Sequence, residues 1–208
     1  MSERASALVG GHPSVQLVCR GYIERDGDRI TEASSSVTLV QAAGKRILVD
    51  TGSPTKCTSL VESLEAIGIR AEEIDIVVNT HLHVDHCGCN ELFEKARVVV
   101  HALEEPPVGT LRISGGMTLL PGVEIVPTPG HTPGSVSVFV SSDRKYAVCG
   151  DAVPTKANYD SHSPPFIASD RKLALKSLEA IVSWAEIIIP GHDSPFEVLG
   201  KKYVPRAR

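Results

Sequence analysis

No apolar run in this 208-residue chain approaches the ~18 residues that a membrane-spanning helix needs. Nor does a basic region lead into an apolar stretch at its start: Met1-Ser2-Glu3-Arg4 opens a mixed segment, and no secretory signal is expected. Charge of one sign is scarce as well. A formal net charge of −4 leaves no broad positive field to follow a phosphate backbone, which counts against nucleic acid as a partner. The five cysteines, Cys19, Cys57, Cys87, Cys89 and Cys149, are odd in number and unevenly spaced. That speaks against a disulfide framework and for a reducing, cytoplasmic setting. No Pro/Gly/Ser-rich stretch or charge block divides the chain, so residues 1–208 read as a single domain, and 42% hydrophobic content suffices for one sizeable core.

What is present is a succession of β-branched apolar runs. Val15 to Ile23 alternates as a strand, and Ser36 to Gln41 with Lys45 to Val49 reads as a hairpin around Gly44. Further strands are expected at Ile74–Val78, Arg97–Val100, Met117–Leu120, Val123–Val126, Val136–Val140, Tyr146–Cys149 and Ile187–Ile189. Thr55 to Ile67 places Leu60, Val61, Leu64 and Ile67 on one helical face ahead of Gly68. A short helix is expected at Asn90–Lys95 and a longer one from about Arg171 to Trp184, with Leu175, Leu178, Ile181 and Val182 on its apolar face.

The chemistry sits where these runs stop. Thr80-His81-Leu82-His83-Val84-Asp85-His86 follows the run Ile74 to Val78 and packs three imidazoles and a carboxylate together. Imidazole with carboxylate suits zinc, iron or manganese and not calcium, which takes oxygen ligands. Other runs end the same way: Ile47-Leu48-Val49 at Asp50, Val123 to Val126 near His131, Ala147 to Gly150 at Asp151, and Ile187 to Gly191 at His192. In layered α/β proteins, residues at the carboxyl ends of strands converge on one crevice. Gly52, Gly130, Gly150 and Gly191 stand beside these positions, where tight turns are needed.

Through Asp50, the H-x-H-x-D-H loop at 81 to 86, the Gly-His at His131, the strand-ending Asp151 and the late Gly-His at His192, the chain resembles the metallo-β-lactamase fold hydrolase superfamily. Gly21-Tyr22, Ser36 to Val40, Ile47 to Gly52 and Pro190 to Phe196 narrow the likeness to one subgroup. The resemblance implies an α/β (α+β) protein, a four-layer αββα sandwich with two divalent metal ions at one edge of its sheets. Zinc is the first expectation, with iron or manganese as alternatives. By the same resemblance His81, His83 and His131 hold one ion, Asp85, His86 and His192 the other, and Asp151 bridges them. Asp50 is expected outside the ligand set, hydrogen-bonded to a ligand histidine and fixing its tautomer. Taken alone, Asp50-Thr51-Gly52 is equally good turn chemistry.

The implied activity is attack of a metal-bound hydroxide on a small ester, thioester or lactone, with Asp85 as a catalytic residue orienting the nucleophile. The alternatives are an RNA-processing metal-dependent nuclease and an iron-dependent oxidoreductase such as a persulfide dioxygenase. A scaffold without metal would keep costly polar groups buried for nothing. Asp151 stands where the best-known zinc β-lactamases place a cysteine ligand, and Cys149 lies two residues earlier; a β-lactam substrate therefore does not follow from the resemblance. In the aperiodic segment from Ala152 to Ser169, Tyr159, His162 and Phe166 are candidates for substrate contact. Cys87 and Cys89, a C-x-C beside the loop, read as small buried thiols ahead of a third metal role, and Lys201 to Arg208 as a solvated basic tail. The partner expected is a small-molecule substrate, and the oligomeric state is left open, a homodimer among the options.

Overall fold

A computed structural model describes residues 11–27 and 29–200; the basic segment from Lys201 to Arg208 and the first residues at Met1 lie outside them. In chain order the first half holds β1 (Ser14–Cys19), β2 (Tyr22–Asp26), β3 (Arg29–Ser34), β4 (Val37–Ala42), β5 (Lys45–Val49), α1 (Cys57–Ala66), β6 (Ile76–Val78), α2 (Val84–Cys87), β7 (Arg97–His101) and β8 (Leu111–Ile113). The second half holds β9 (Met117–Leu120), β10 (Val123–Pro127), β11 (Val136–Ser141), β12 (Lys145–Gly150), α3 (Lys156–Asp160), α4 (Arg171–Trp184), β13 (Ile187–Pro190) and β14 (Phe196–Glu197).

These strands form two six-stranded sheets, ordered β1-β4-β5-β6-β7-β8 and β14-β13-β12-β11-β10-β9, plus the separate β2-β3 hairpin. Period-two alternation then builds four layers. In β5, Ile47 and Val49 point between the sheets, where they meet Val78, Val138, Val148 and Ile189, while Leu48 points outward to Leu60 and Leu64 of α1. Across the second sheet Ile188 and Ala147 face Leu178, Ile181 and Val182 of α4. The order is therefore helix, sheet, sheet, helix. Burying each such Leu or Ile contributes about 1.5–3 kcal/mol, so the alternation fixes which face of each strand is inside.

The helix ends follow local chemistry. In α1, Gly68 (φ +76°) donates to Glu65 O and Ile69 to Leu64 O, a Schellman ending that returns Ile69 to the core beside Leu64. Asp170 caps α4 by accepting from Lys172 N and Leu173 N, both at 2.9 Å.

Several expectations need correction. The run Val15 to Ile23 is not one strand: it breaks at Arg20-Gly21, β1 joining the first sheet and β2 the hairpin. A Cβ at Gly21 would lie 2.1 Å from the carbonyl oxygen of Gly191, so the chain turns where two backbones touch. The expected helix at Asn90–Lys95 is a 3-10 turn over Asn90–Leu92. β3, β8 and β14 were not expected, being short or polar, and their pairing comes from neighbours in space. Cys57 and Cys89 form a disulfide, against the expectation of free thiols. An odd cysteine count argues against a framework and leaves room for a single bridge, here between the start of α1 and the turn after α2.

Candidate metal centre

β10 and β12 both run antiparallel to β11, and β13 runs parallel to β12, so β10, β12 and β13 end at the same edge. In the facing sheet β5 and β6 run parallel and end beside it. The loops leaving these strands bring the histidines and acids together in three overlapping groups: His81, His83 and His131; His81, His86 and Asp151; Asp85, His86 and His192. Within each group the ligand atoms lie within 4.8 Å of one another. The loop from Thr80 divides at α2, with His81 and His83 before the helix and Asp85 and His86 within it.

The backs of the rings decide what their fronts can do. His131 Nδ1 donates to Ile167 O at 2.7 Å, and His86 Nδ1 to Asp50 Oδ2 at 2.8 Å. His192 Nδ1 faces Ser34 O at 3.1 Å and Tyr22 O at 3.2 Å. Thr80 Oγ1 gives its proton to Asp50 Oδ2 at 2.8 Å, so it accepts from His81 Nδ1 at 3.1 Å. Each of the four rings thus spends its Nδ1 outward and turns its Nε2 inward. Those nitrogens meet: His86 Nε2 is 3.2 Å from His192 Nε2, and His83 Nδ1 is 3.0 Å from His81 Nε2 and 2.9 Å from His131 Nε2. Two nitrogens on a tetrahedral zinc sit about 3.3 Å apart, so the spacing fits shared cations.

Asp151 lies between the two clusters. Its Oδ1 is 3.1 Å from His192 Nε2 and 3.4 Å from His86 Nε2, and its Oδ2 is 3.4 Å from His131 Nε2. Oδ1 is buried without a hydrogen bond. Asp85 Oδ2 stands 3.5 Å from His192 Nε2 on the more open side. A buried carboxylate oxygen without a hydrogen bond needs positive charge, from a proton on a ring or from a cation, and the donor set of imidazoles and carboxylates suits a divalent transition metal.

Protons compete for the same lone pairs. Burial, then the neighbouring imidazole of His86, drive His81 well below the ordinary histidine pKa, and loss of solvent lowers His83 too. His86 goes the other way: burial opposes its charge, but Asp50 and Asp151 outweigh it and hold the pKa well above the usual value. The same attraction, against the cost of burial, keeps the Asp151 carboxyl well below the carboxylate range.

Asp50 sits at φ +57° and is 2% exposed, a strained position for a residue other than glycine. Its Oδ1 accepts from Thr80 N at 2.7 Å and its Oδ2 from Thr80 Oγ1 and His86 Nδ1, so one carboxylate fixes the loop and two of its rings. Gly150 (φ +48°) is required opposite: a Cβ there would lie 2.3 Å from Thr80 Oγ1. Glu104 escaped the sequence reading. Its Oε2 accepts from Leu82 N at 3.0 Å and its Oε1 from Thr132 Oγ1 at 2.6 Å and Gly134 N at 3.0 Å. It joins the loop of His81 and His83 to the loop of His131, and a lone glutamate after an expected strand gave no signal of this. Cys149 is buried in the core against α4, and burial pushes its thiol far up, so it packs as an uncharged side chain.

Beside the centre lies a cavity of about 330 Å³ reached by His131, Asp151 and His192. Its walls include Ile23, Arg25 and Ile30 of the hairpin and Phe166 and Ile167 opposite. Of the three residues expected to touch substrate, Phe166 lines this cavity and is 77% exposed. The other two are corrections. Tyr159 is buried in the core, its ring 5.0 Å from Phe196 and its hydroxyl accepting from Leu199 N, because α3 turns it inward. His162 is held at 3.0 Å by Glu179 of α4 and does not line the cavity.

Helix, sheet, sheet and helix with a cluster of imidazole and carboxylate donors at the strand ends define the class of metal-dependent αββα hydrolases. The chain belongs to the metallo-beta-lactamase superfamily, whose family model matches residues 30–112 and 103–192. It is 32% identical over 206 residues to metallo-beta-lactamase domain-containing protein 1 of Xenopus laevis, covering 94% of this chain and 86% of that protein. The N-acyl homoserine lactonase of Bacillus thuringiensis is 30% identical over 155 residues, which are 64% of this chain and 62% of that protein. A Thermotoga maritima structure of the metallo-beta-lactamase type matches with a TM-score of 0.76 at 20% identity, covering 89% of this chain and 99% of that chain, a likeness of fold. No helix among the described residues is long and apolar enough to cross a membrane.

Proposed function

We propose that this chain is a dinuclear metal-dependent hydrolase of small esters, thioesters or lactones. The observation that carries this reading is the inward convergence of histidine nitrogens on Asp151, beside a cavity walled in part by Ile23, Ile30, Phe166 and Ile167. His81, His83 and His131 would hold one ion, Asp85, His86 and His192 the other, with Asp151 offering one oxygen to each side. Zinc is the first choice for such donors. Bound there, divalent ions supply Lewis acidity and lower the pKa of water to near 7. The protein's own part is orientation. Asp50, Thr80, Ile167 O and Ser34 O hold the rings in one tautomer, and Asp85 Oδ2 is placed to accept and aim a proton of the attacking water. The apolar part of the wall, Ile23, Ile30, Phe166 and Ile167, would shed water from an acyl group whose carbonyl faces the centre. The lactonase relative supports a small carbonyl substrate.

Metal analysis of protein purified without added metal, followed by thioester, lactone, phosphodiester and β-lactam substrates, tests the reading. The expected result is close to two equivalents of metal and hydrolysis of the carbonyl esters. Iron alone with oxygen consumption, or cleavage confined to RNA with salt-sensitive binding, would overturn it.

A further inference from the structure

Resting on the ester-hydrolase reading of the same centre, we propose that Arg25 selects substrates bearing a carboxylate at the far end of their acyl group. Arg25 is on the β2-β3 hairpin, one wall of the cavity whose base is His131, Asp151 and His192. Residues two apart on a strand share a face, so Ile23 and Arg25 point to the cavity together. Across the hairpin Glu24 pairs with Glu32 but Arg25 pairs with Ile30, a register shift that leaves Thr31 unpaired and sets Ile30 beside Arg25. The shift therefore builds a cavity wall of two isoleucines and one cation.

That cation is uncompensated among the described residues. Among the described residues no hydrogen bond or ion pair engages the Arg25 guanidinium, while the acid that could neutralise it from the neighbouring strand is occupied: Glu32 takes the Tyr22 hydroxyl at 2.6 Å and Lys56 at 3.1 Å. Glu24 alternates to the face away from the cavity. Opposite Arg25 stand Phe166 and Ile167, both large, apolar and more than half exposed at 77% and 56%. An acyl chain lying among Ile23, Ile30, Phe166 and Ile167 with its carbonyl at the metal centre carries its far end toward the guanidinium, which binds a carboxylate in a fork of two hydrogen bonds.

Two phenyl esters of equal acyl length test this on the metal-loaded full chain: phenyl hexanoate and phenyl hydrogen adipate, which carries the terminal carboxylate. The parent should prefer the adipate in kcat/KM. Arg25→Gln should lower the adipate value about tenfold or more and leave the hexanoate within about twofold, with Arg25→Lys keeping part of the preference. Equal loss on both esters, or an unchanged preference, overturns the proposal. If the parent cleaves neither ester, the hydrolase reading is what fails, and calorimetric binding of the uncleaved amides decides for Arg25. Adipic acid monoanilide should then bind tighter than hexananilide in the parent only, and equal binding overturns the proposal.

Discussion

The two halves of the centre are built differently. On the side of the first sheet, His81, His83, Asp85 and His86 come from one loop, and their backing is deep: Asp50 and Thr80, both buried, fix His81 and His86. On the side of the second sheet, His131, Asp151 and His192 leave three separate strands, and the histidines are backed by main-chain carbonyls of Ile167, Ser34 and Tyr22. Ile167 is also a wall of the cavity, and Tyr22 and Ser34 are the ends of the hairpin that forms the other wall. One half is therefore held by buried side chains and the other by main chain of segments that also wall the cavity.

The comparison can be broken at its centre first. Asp151→Asn should cut turnover by about 1000-fold or more and lower metal content, because the one carboxylate facing both halves then loses its charge. Retention of most activity with full metal would mean that the halves work independently. Asp85→Asn should lower kcat by about 100-fold while changing KM little, and an unchanged rate removes Asp85 from proton handling. Asp50→Ala should weaken metal binding 10- to 100-fold, measured by chelator competition, with the loss falling first on the site of His86. Glu104→Gln sharpens the contrast with a smaller effect, about tenfold in kcat, since it loosens the tie between Leu82 and Gly134 without touching a ring.

The pH dependence has opposite signs with and without metal. In the metal-free protein the raised pKa of His86 gives stability that is fully present below the ordinary histidine value and lost as pH rises through the raised one. Metal binding must displace that proton, so affinity falls as pH drops through the raised value, about tenfold per unit for one proton. Thermal unfolding of the stripped and loaded forms across pH should show the two trends crossing, and parallel curves would contradict the assignment.

The centre was far more legible than its surroundings. A candidate ligand histidine advertises itself when it follows an apolar run, as His81, His131 and His192 do. Asp50 was expected behind a ligand ring on family resemblance, and the structure puts its carboxylate 2.8 Å from His86 Nδ1. Glu104 had no such signal, because its partners Leu82, Thr132 and Gly134 offer main-chain and hydroxyl groups that any sequence supplies. Tyr159 and His162 misled because a segment without periodicity reads as open loop, whereas α3 buries one and α4 engages the other.

By itself the sequence determined the alternating strands, the two apolar helix faces, and which side chains stand at strand ends, since all of these follow from spacing along the chain. Tertiary structure alone decided how those ends meet. The parallel pairings of β5 with β6 and β12 with β13, the pairing of Cys57 with Cys89, and the hairpin that sets Arg25 over the cavity join residues far apart in sequence or turn a strand by one register. The physical reason is that spacing along a chain fixes which face a residue occupies, while its neighbour across space is chosen by packing of the whole.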